Sequence, residues 1–128
     1  MSAIRLNYSK LSLPQLDELA RYYEKRAIYN FDLKRGSKRK VQDEKTALSI
    51  AKFITKRFPK SPTGWLLMGR LCVPGDVVRA VTFYKKALRL SPKEDRNYLY
   101  KLISSAYEQS GDHAKAEHWQ VKAILLRD

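Results

Sequence analysis

Few residues in this 128-residue chain have the type and spacing that bond-making chemistry requires. His113 and His118 are the two histidines, and they lie five apart. A helical metal pair sits at i and i+4, so this spacing turns the two rings to different faces. Cys72 stands in an apolar stretch with no histidine near it in sequence, which reads as a core residue rather than a nucleophile. As the single cysteine it can form no intrachain disulfide, and nothing points to an oxidising compartment. Asp43-Glu44-Lys45 has the residue types of a nuclease site but lacks the flanking strands. Asp43 and Glu44 suit the first turn of a helix instead, where carboxylates complement the helix dipole. No glycine-rich phosphate loop occurs. The expectation is a protein that is not an enzyme and uses no cofactor and no metal.

Charge is the second chemical signal. The net charge is +13 and the pI is near 10.0. Residues 1–62 carry 15 Lys and Arg against 6 Asp and Glu, and residues 63–128 carry 11 against 7. Such a balance favours acidic partners: nucleic acid, an anionic membrane surface or an acidic protein segment. The densest cluster is Lys34, Arg35, Lys38, Arg39 and Lys40, in a basic loop expected over 31–41, where Gly36 and Ser37 break helical continuity. Three readings stay open for it: contacts to phosphates, a nuclear-import-like cluster, or a solvated loop. No aromatic residue interleaves with it, so base stacking is not indicated there.

The elements that must position these residues are helices. Glycine and proline are sparse, at five each, and 44% of residues are hydrophobic. Residues 1–12 read as an irregular lead-in. Ser12-Leu13-Pro14-Gln15 has a serine cap, a first-turn proline and a glutamine three after the serine. Leu16, Leu19, Ala20, Tyr23 and Ala27 follow at helical spacing, giving a helix over about 13–30. Ala47, Ile50, Ala51, Ile54 and Phe58 give a second over about 42–58, with Gln42 or Asp43 placed to cap it and Pro59 beyond its end. Further helices are expected over about 62–73, 77–90, 95–109 and 112–127, the fifth opened by Ser91-Pro92-Lys93-Glu94 and ended by Gly111.

The C-terminal half repeats itself. Gly75-Asp76 recurs as Gly111-Asp112, Ala80 as Ala116, Ala87 as Ala123, Leu67 as Ile103 and Leu71 as Tyr107, each at a lag of 36 residues. Ala47 leads Ala80, and Pro59 leads Pro92, by 33. A period of this size marks a solenoid, whose units bury their apolar faces against one another. Trp65, Met68-Gly69 and Gly75, then Ala80, Tyr84, Ala87-Leu88 and Pro92, resemble the tetratricopeptide (TPR) repeat. Tyr100, Ile103-Ser104, Tyr107, Gly111, Ala116 and Ala123 carry it again, and Leu16, Leu19-Ala20, Tyr23, Ala47, Ala51, Ile54 and Pro59 fit more loosely. The pentatricopeptide repeat is the rival resemblance, through Leu71-Cys72 and Gly75-Asp76; the ending from Ala87 to Pro92 fits the TPR better.

The TPR resemblance implies an all-α domain over 13–128. Three antiparallel helix hairpins (13–59, 62–92 and 95–127) would stack as a short right-handed superhelix. It also implies a concave groove lined by the first helix of each hairpin. Carried onto this chain, that groove holds Asp17, Arg21 and Lys25, then Leu66, Arg70 and Val73, then Tyr98, Lys101 and Ser105, a net basic set. Leu67 and Leu102 stand where a chaperone-tail clamp would need polar groups, which argues against that subclass. The last helix offers Trp119, Val121, Ile124 and Leu125 around much of its circumference. Since TPR arrays commonly end in a polar capping helix, this apolar edge is expected to dock a partner or a second copy of the chain.

The expected function is therefore a non-catalytic adaptor that takes a protein partner, either an acidic segment or a neighbouring subunit. The alternative is a nucleic-acid-associated component, such as part of a ribosome or other RNA or DNA complex, that contacts phosphates through the basic loop. No stretch approaches the ~20 apolar residues of a membrane span, and Met1 to Leu13 holds no apolar run of signal-peptide length. A cytoplasmic protein is expected, with nuclear and organellar placement left open.

Overall fold

The computed structural model describes residues 7–28, 36–72 and 75–126. Among them there are six α-helices and no strand: α1 (Leu13–Ile28), α2 (Gly36–Arg57), α3 (Thr63–Cys72), α4 (Val77–Leu90), α5 (Arg96–Gln109) and α6 (His113–Leu125). Short 3-10 turns at Tyr8–Lys10 and Lys93–Asp95 precede α1 and α5. No described helix is long and apolar enough to cross a membrane.

Local chemistry fixes most helix ends. At α1 the Gln15 amide donates to Ser12 Oγ (3.3 Å) and the Ser12 amide to Gln15 Oε1 (2.9 Å), the reciprocal capping that the sequence indicates. Asp76 and Asp112, one repeat apart, accept from the amides of Arg79 (3.0 Å) and Lys115 (3.1 Å), which explains why Gly-Asp recurs. The glycines before them differ. Gly111 takes φ +86°, the left-handed region a helix end favours, whereas Gly75 does not adopt positive φ. Ser91 also departs from expectation. Its hydroxyl turns back to the Ala87 carbonyl (2.8 Å), closing α4 rather than capping the next helix.

The largest difference from the sequence reading is the start of α2. Lys38, Arg39 and Lys40 lie in its opening turns, not in a loop, while Lys34 and Arg35 fall outside the described residues. The first four amides of any helix lack intrahelical partners, so glycine and serine cost little there. Asp43 then falls in the second turn, not at the cap. It is buried, and it accepts from Arg26 Nε (2.9 Å) and Nη2 (2.7 Å) on α1.

Consecutive helices pack on one another, most closely within α1/α2, α3/α4 and α5/α6. In the last pair, Asn97 donates to the Ala123 carbonyl and Ser104 to the Ala116 carbonyl (2.7 Å). The first partner advances as the second retreats, so this hairpin is antiparallel. The recurring alanines are the contact points: Ala47, Ala80 and Ala116 are buried, as are Ile54, Ala87 and Ala123 at the next shared register. One cluster gathers Leu16, Ala20, Ile50, Ile54 and Leu67; another gathers Ala80, Tyr84, Leu99 and Ile103; Trp65 packs on both.

Close backbone approach depends on two glycines of α3. A Cβ on Gly64 would stand 2.7 Å from the Thr55 methyl of α2, and one on Gly69 would stand 2.5 Å from the Tyr84 ring of α4. Tyr84 is buried, so its ring could yield only by breaking its own packing. Gly69→Ala is expected to cost about 1–2 kcal/mol net, overpacking outweighing the gain in helix propensity. Thermal unfolding followed by circular dichroism should then show a midpoint lowered by about 5 °C.

Candidate partner-binding cleft

Helices α1, α3 and α5 face a cleft of about 250 Å³. Glu24 and Ile28 come from α1, Arg70 from α3, and Tyr98, Leu102, Ser105, Ala106 and Gln109 from α5, with Tyr84 of α4 at its floor. The α5 set follows helical spacing, with positions 98, 102, 105 and 109 on one face. Ile28 and Tyr98 are exposed at the mouth. Burial pushes the Tyr84 phenol well above its usual range, so the floor is uncharged.

One ion pair crosses the cleft. Arg70 Nη2 lies 2.9 Å from Glu24 Oε1, and its Nε donates to Glu24 Oε2 at 3.2 Å. The Glu24 side chain is 6% exposed and that of Arg70 26%, so the carboxylate relies on this guanidinium for compensation. The cleft is therefore electrically neutral and largely apolar, not basic. Arg70, expected in the groove for its charge, is paired here with Glu24, 46 residues away.

The other expected groove residues scatter. Arg21 is half-buried and pairs with Asp17 on its own helix (2.9 Å). Lys25 is exposed and outside the cleft lining. Leu66 is half-buried against the second core cluster. Lys101 lines a separate depression with His113, Glu117, Gln120 and Val121. Val73 lies outside the described residues. Of the expected set, Arg70, Tyr98 and Ser105 meet in the cleft. Glu24, Ile28 and Gln109 are additions to that set, while Leu102 is the position at which a chaperone-tail clamp would need a polar group. The i, i+4 spacing of Glu24 with Ile28, and of Tyr98 with Leu102, is the signal that could have found them.

The C-terminal edge divides in two. Val121, Ile124 and Leu125 are exposed, together with Leu126. Ala114, Glu117, His118, Val121, Lys122 and Leu125 outline a shallow depression of about 440 Å³. Trp119 is not part of that free edge. It is half-buried against the second core cluster, 5.8 Å from the Tyr100 ring, because α5 covers that side of α6.

Reactive groups do not converge. His113 meets Glu108 at the surface (2.8 Å), and His118 stands edge-on to Trp119 (5.7 Å). Cys72 is half-buried, and burial raises its thiol pKa. Among the described residues no group of three metal-ligating side chains occurs. No protein-family model and no curated protein matches the chain.

Removing one partner of the cleft ion pair strands the other. Arg70→Met is expected to cost about 3 kcal/mol, the low end of the range for a buried pair because Arg70 keeps some contact with water. The double variant Glu24→Leu/Arg70→Met should regain most of that loss, as read by urea denaturation.

Proposed function

We propose that this protein is a non-catalytic, TPR-like adaptor whose hairpins stack as a right-handed superhelix and hold a segment of a partner protein. The observation that carries the reading is the cleft, to which the first helix of every hairpin contributes. Shared burial of Ala47, Ala80 and Ala116 supports a common register for the three hairpins. Because Glu24 already neutralises Arg70, a bound segment is selected by shape and apolar contact more than by negative charge. This favours a helix or loop of a neighbouring subunit over an acidic tail. Tyr98 is the natural anchor, an exposed aromatic beside Leu102 with a hydroxyl for a directed bond.

The apolar side of α6 is the second contact. Ile124 occupies the register of Leu88, one repeat on. Leu88 is half-buried on a core cluster that includes α5 residues, whereas Ile124 has no such cover among the described residues. Docking of a partner, or of another copy of the chain, would bury it together with Val121 and Leu125.

Two measurements test this reading. Tyr98→Ala should weaken capture of the partner by roughly thirtyfold, the loss of about 2 kcal/mol typical of a buried aromatic anchor. The captured protein should survive nuclease treatment and moderate salt. Capture that nuclease abolishes, or that Tyr98→Ala leaves intact, would remove the cleft from the function. For self-association, light scattering across a concentration series should show mass rising for the native chain and constant for Leu125→Glu. A native chain that stays monomeric throughout restricts α6 to docking a different protein.

A further inference from the structure

The excess positive charge lies mainly on α2 and α4. Helices α1, α3 and α5 together hold six Lys and Arg against four Asp and Glu, while α2, α4 and α6 hold thirteen against three. The repeat register shows where those charges point. Positions buried in one second helix are buried in the next: Ala47, Ala80 and Ala116, then Ile54, Ala87 and Ala123. The opposite stripe is exposed in all three, and it reads Lys45, Ser49, Lys52, Lys56 on α2, Val78, Thr82, Lys85, Arg89 on α4, and Ala114, His118, Val121, Leu125 on α6. Lys52 and Lys85 are thus equivalent, as are Lys56 and Arg89, and the same places on α6 are apolar. No acidic residue occurs in α4, and among the described residues none of these lysines or Arg89 has an ion-pair partner.

We propose that this outward stripe of α2 and α4 is a phosphate-backbone interface for single-stranded RNA, on the face turned away from the cleft. Charges at i and i+4 lie about 6 Å apart along a helix, and the row of Lys52 and Lys56 on α2 recurs at the same register as Lys85 and Arg89 on α4. Repeated rows of that pitch suit a regularly charged polymer rather than one carboxylate. A membrane surface would call for large apolar side chains among the lysines, and the stripe on these two helices offers only Val78. Recognition should ignore base identity. Trp119, which Lys85 of the stripe overlies at 5.6 Å, also carries Lys122 at 4.8 Å and packs on Tyr100, and Trp65 has Phe83 stacked on it at 6.0 Å and Lys86 over it at 4.2 Å, so both indoles are engaged by the protein itself. The surface is separate from the cleft and stands or falls independently of the adaptor reading.

The test is fluorescence anisotropy of the full chain with labelled oligouridylate and oligoadenylate. Binding should be similar for both, and log affinity should fall linearly with log salt at a slope of about −3 to −4, as four to six phosphate contacts to a single strand require. Lys52→Glu/Lys85→Glu should weaken binding by at least about tenfold, whereas Lys25→Glu/Lys101→Glu, an identical change in net charge on the first helices, should weaken it by less than about threefold. Lys52→Gln/Lys85→Gln, with circular dichroism confirming native helicity, gives the same ordering should the reversed charges disturb folding. Equal loss in the two pairs would overturn the proposal, since net charge alone would then suffice. So would an absence of binding at low salt, or tighter binding to polyglutamate or to phosphatidylserine vesicles than to RNA.

Discussion

Close approach of helix backbones is the constraint on which the molecule depends. Large side chains do not set the spacing here; missing ones do. Gly64 admits Thr55 and Gly69 admits the ring of Tyr84, at distances no β-carbon would tolerate. Ala47, Ala80 and Ala116, the smallest residues that keep a β-carbon, are buried at one shared register. Once the helices are that close, their rotation is fixed, and rotation decides everything exposed. The outward stripes on α2, α4 and α6 are the geometric complement of the alanine contacts. The cleft is the gap that the first helices leave around the buried ring of Tyr84.

Two ion pairs add what apolar packing lacks, a preference for one arrangement of hairpins. Asp43 with Arg26 ties α1 to α2, and Glu24 with Arg70 ties α1 to α3. In each pair the acid is nearly water-free while the guanidinium keeps partial contact with solvent. The desolvation cost therefore falls mainly on the carboxylate, and a shifted register would strand it without a partner. Arg26 is held further by the rings of Tyr22 and Tyr23, each 5.4 Å from its guanidinium carbon, which narrows the geometry it can adopt.

What could be read from the sequence follows the range of each interaction. Helix positions, the Ser12–Gln15 cap and the recurring alanines are local or periodic, so a linear chain displays them. The pairing of Glu24 with Arg70 spans 46 residues, and nothing in either neighbourhood announces it. For that reason the sequence shows the charge of Arg70 but not the carboxylate that neutralises it. The start of α2 was misplaced because Gly36-Ser37 reads as a break, although the first turn of a helix forgives both residues. Trp119 is a different kind of miss. Amphipathicity alone does not say which side of α6 is covered, but the repeat does: Trp119 stands 36 residues after Phe83, which is packed on a core cluster. Extended to that pair, the register turns Trp119 inward.

The same register separates two kinds of surface that composition merges. A net charge of +13 averaged over the chain suggests a uniformly basic protein. Resolved by position, the first helices are nearly balanced and enclose a neutral cleft, and the second helices carry the excess. Segregation of this kind has a physical consequence. Screening by salt acts on exposed charges spread along α2 and α4, while contacts within an apolar cleft that holds its own compensated ion pair are nearly insensitive to it. The proposed cleft and the proposed phosphate interface share no residue, so a ligand at one would not compete for the contacts of the other. The apolar places of Val121 and Leu125 mark where the charged face stops, at the hairpin whose outward stripe changes from lysine to aliphatic side chains.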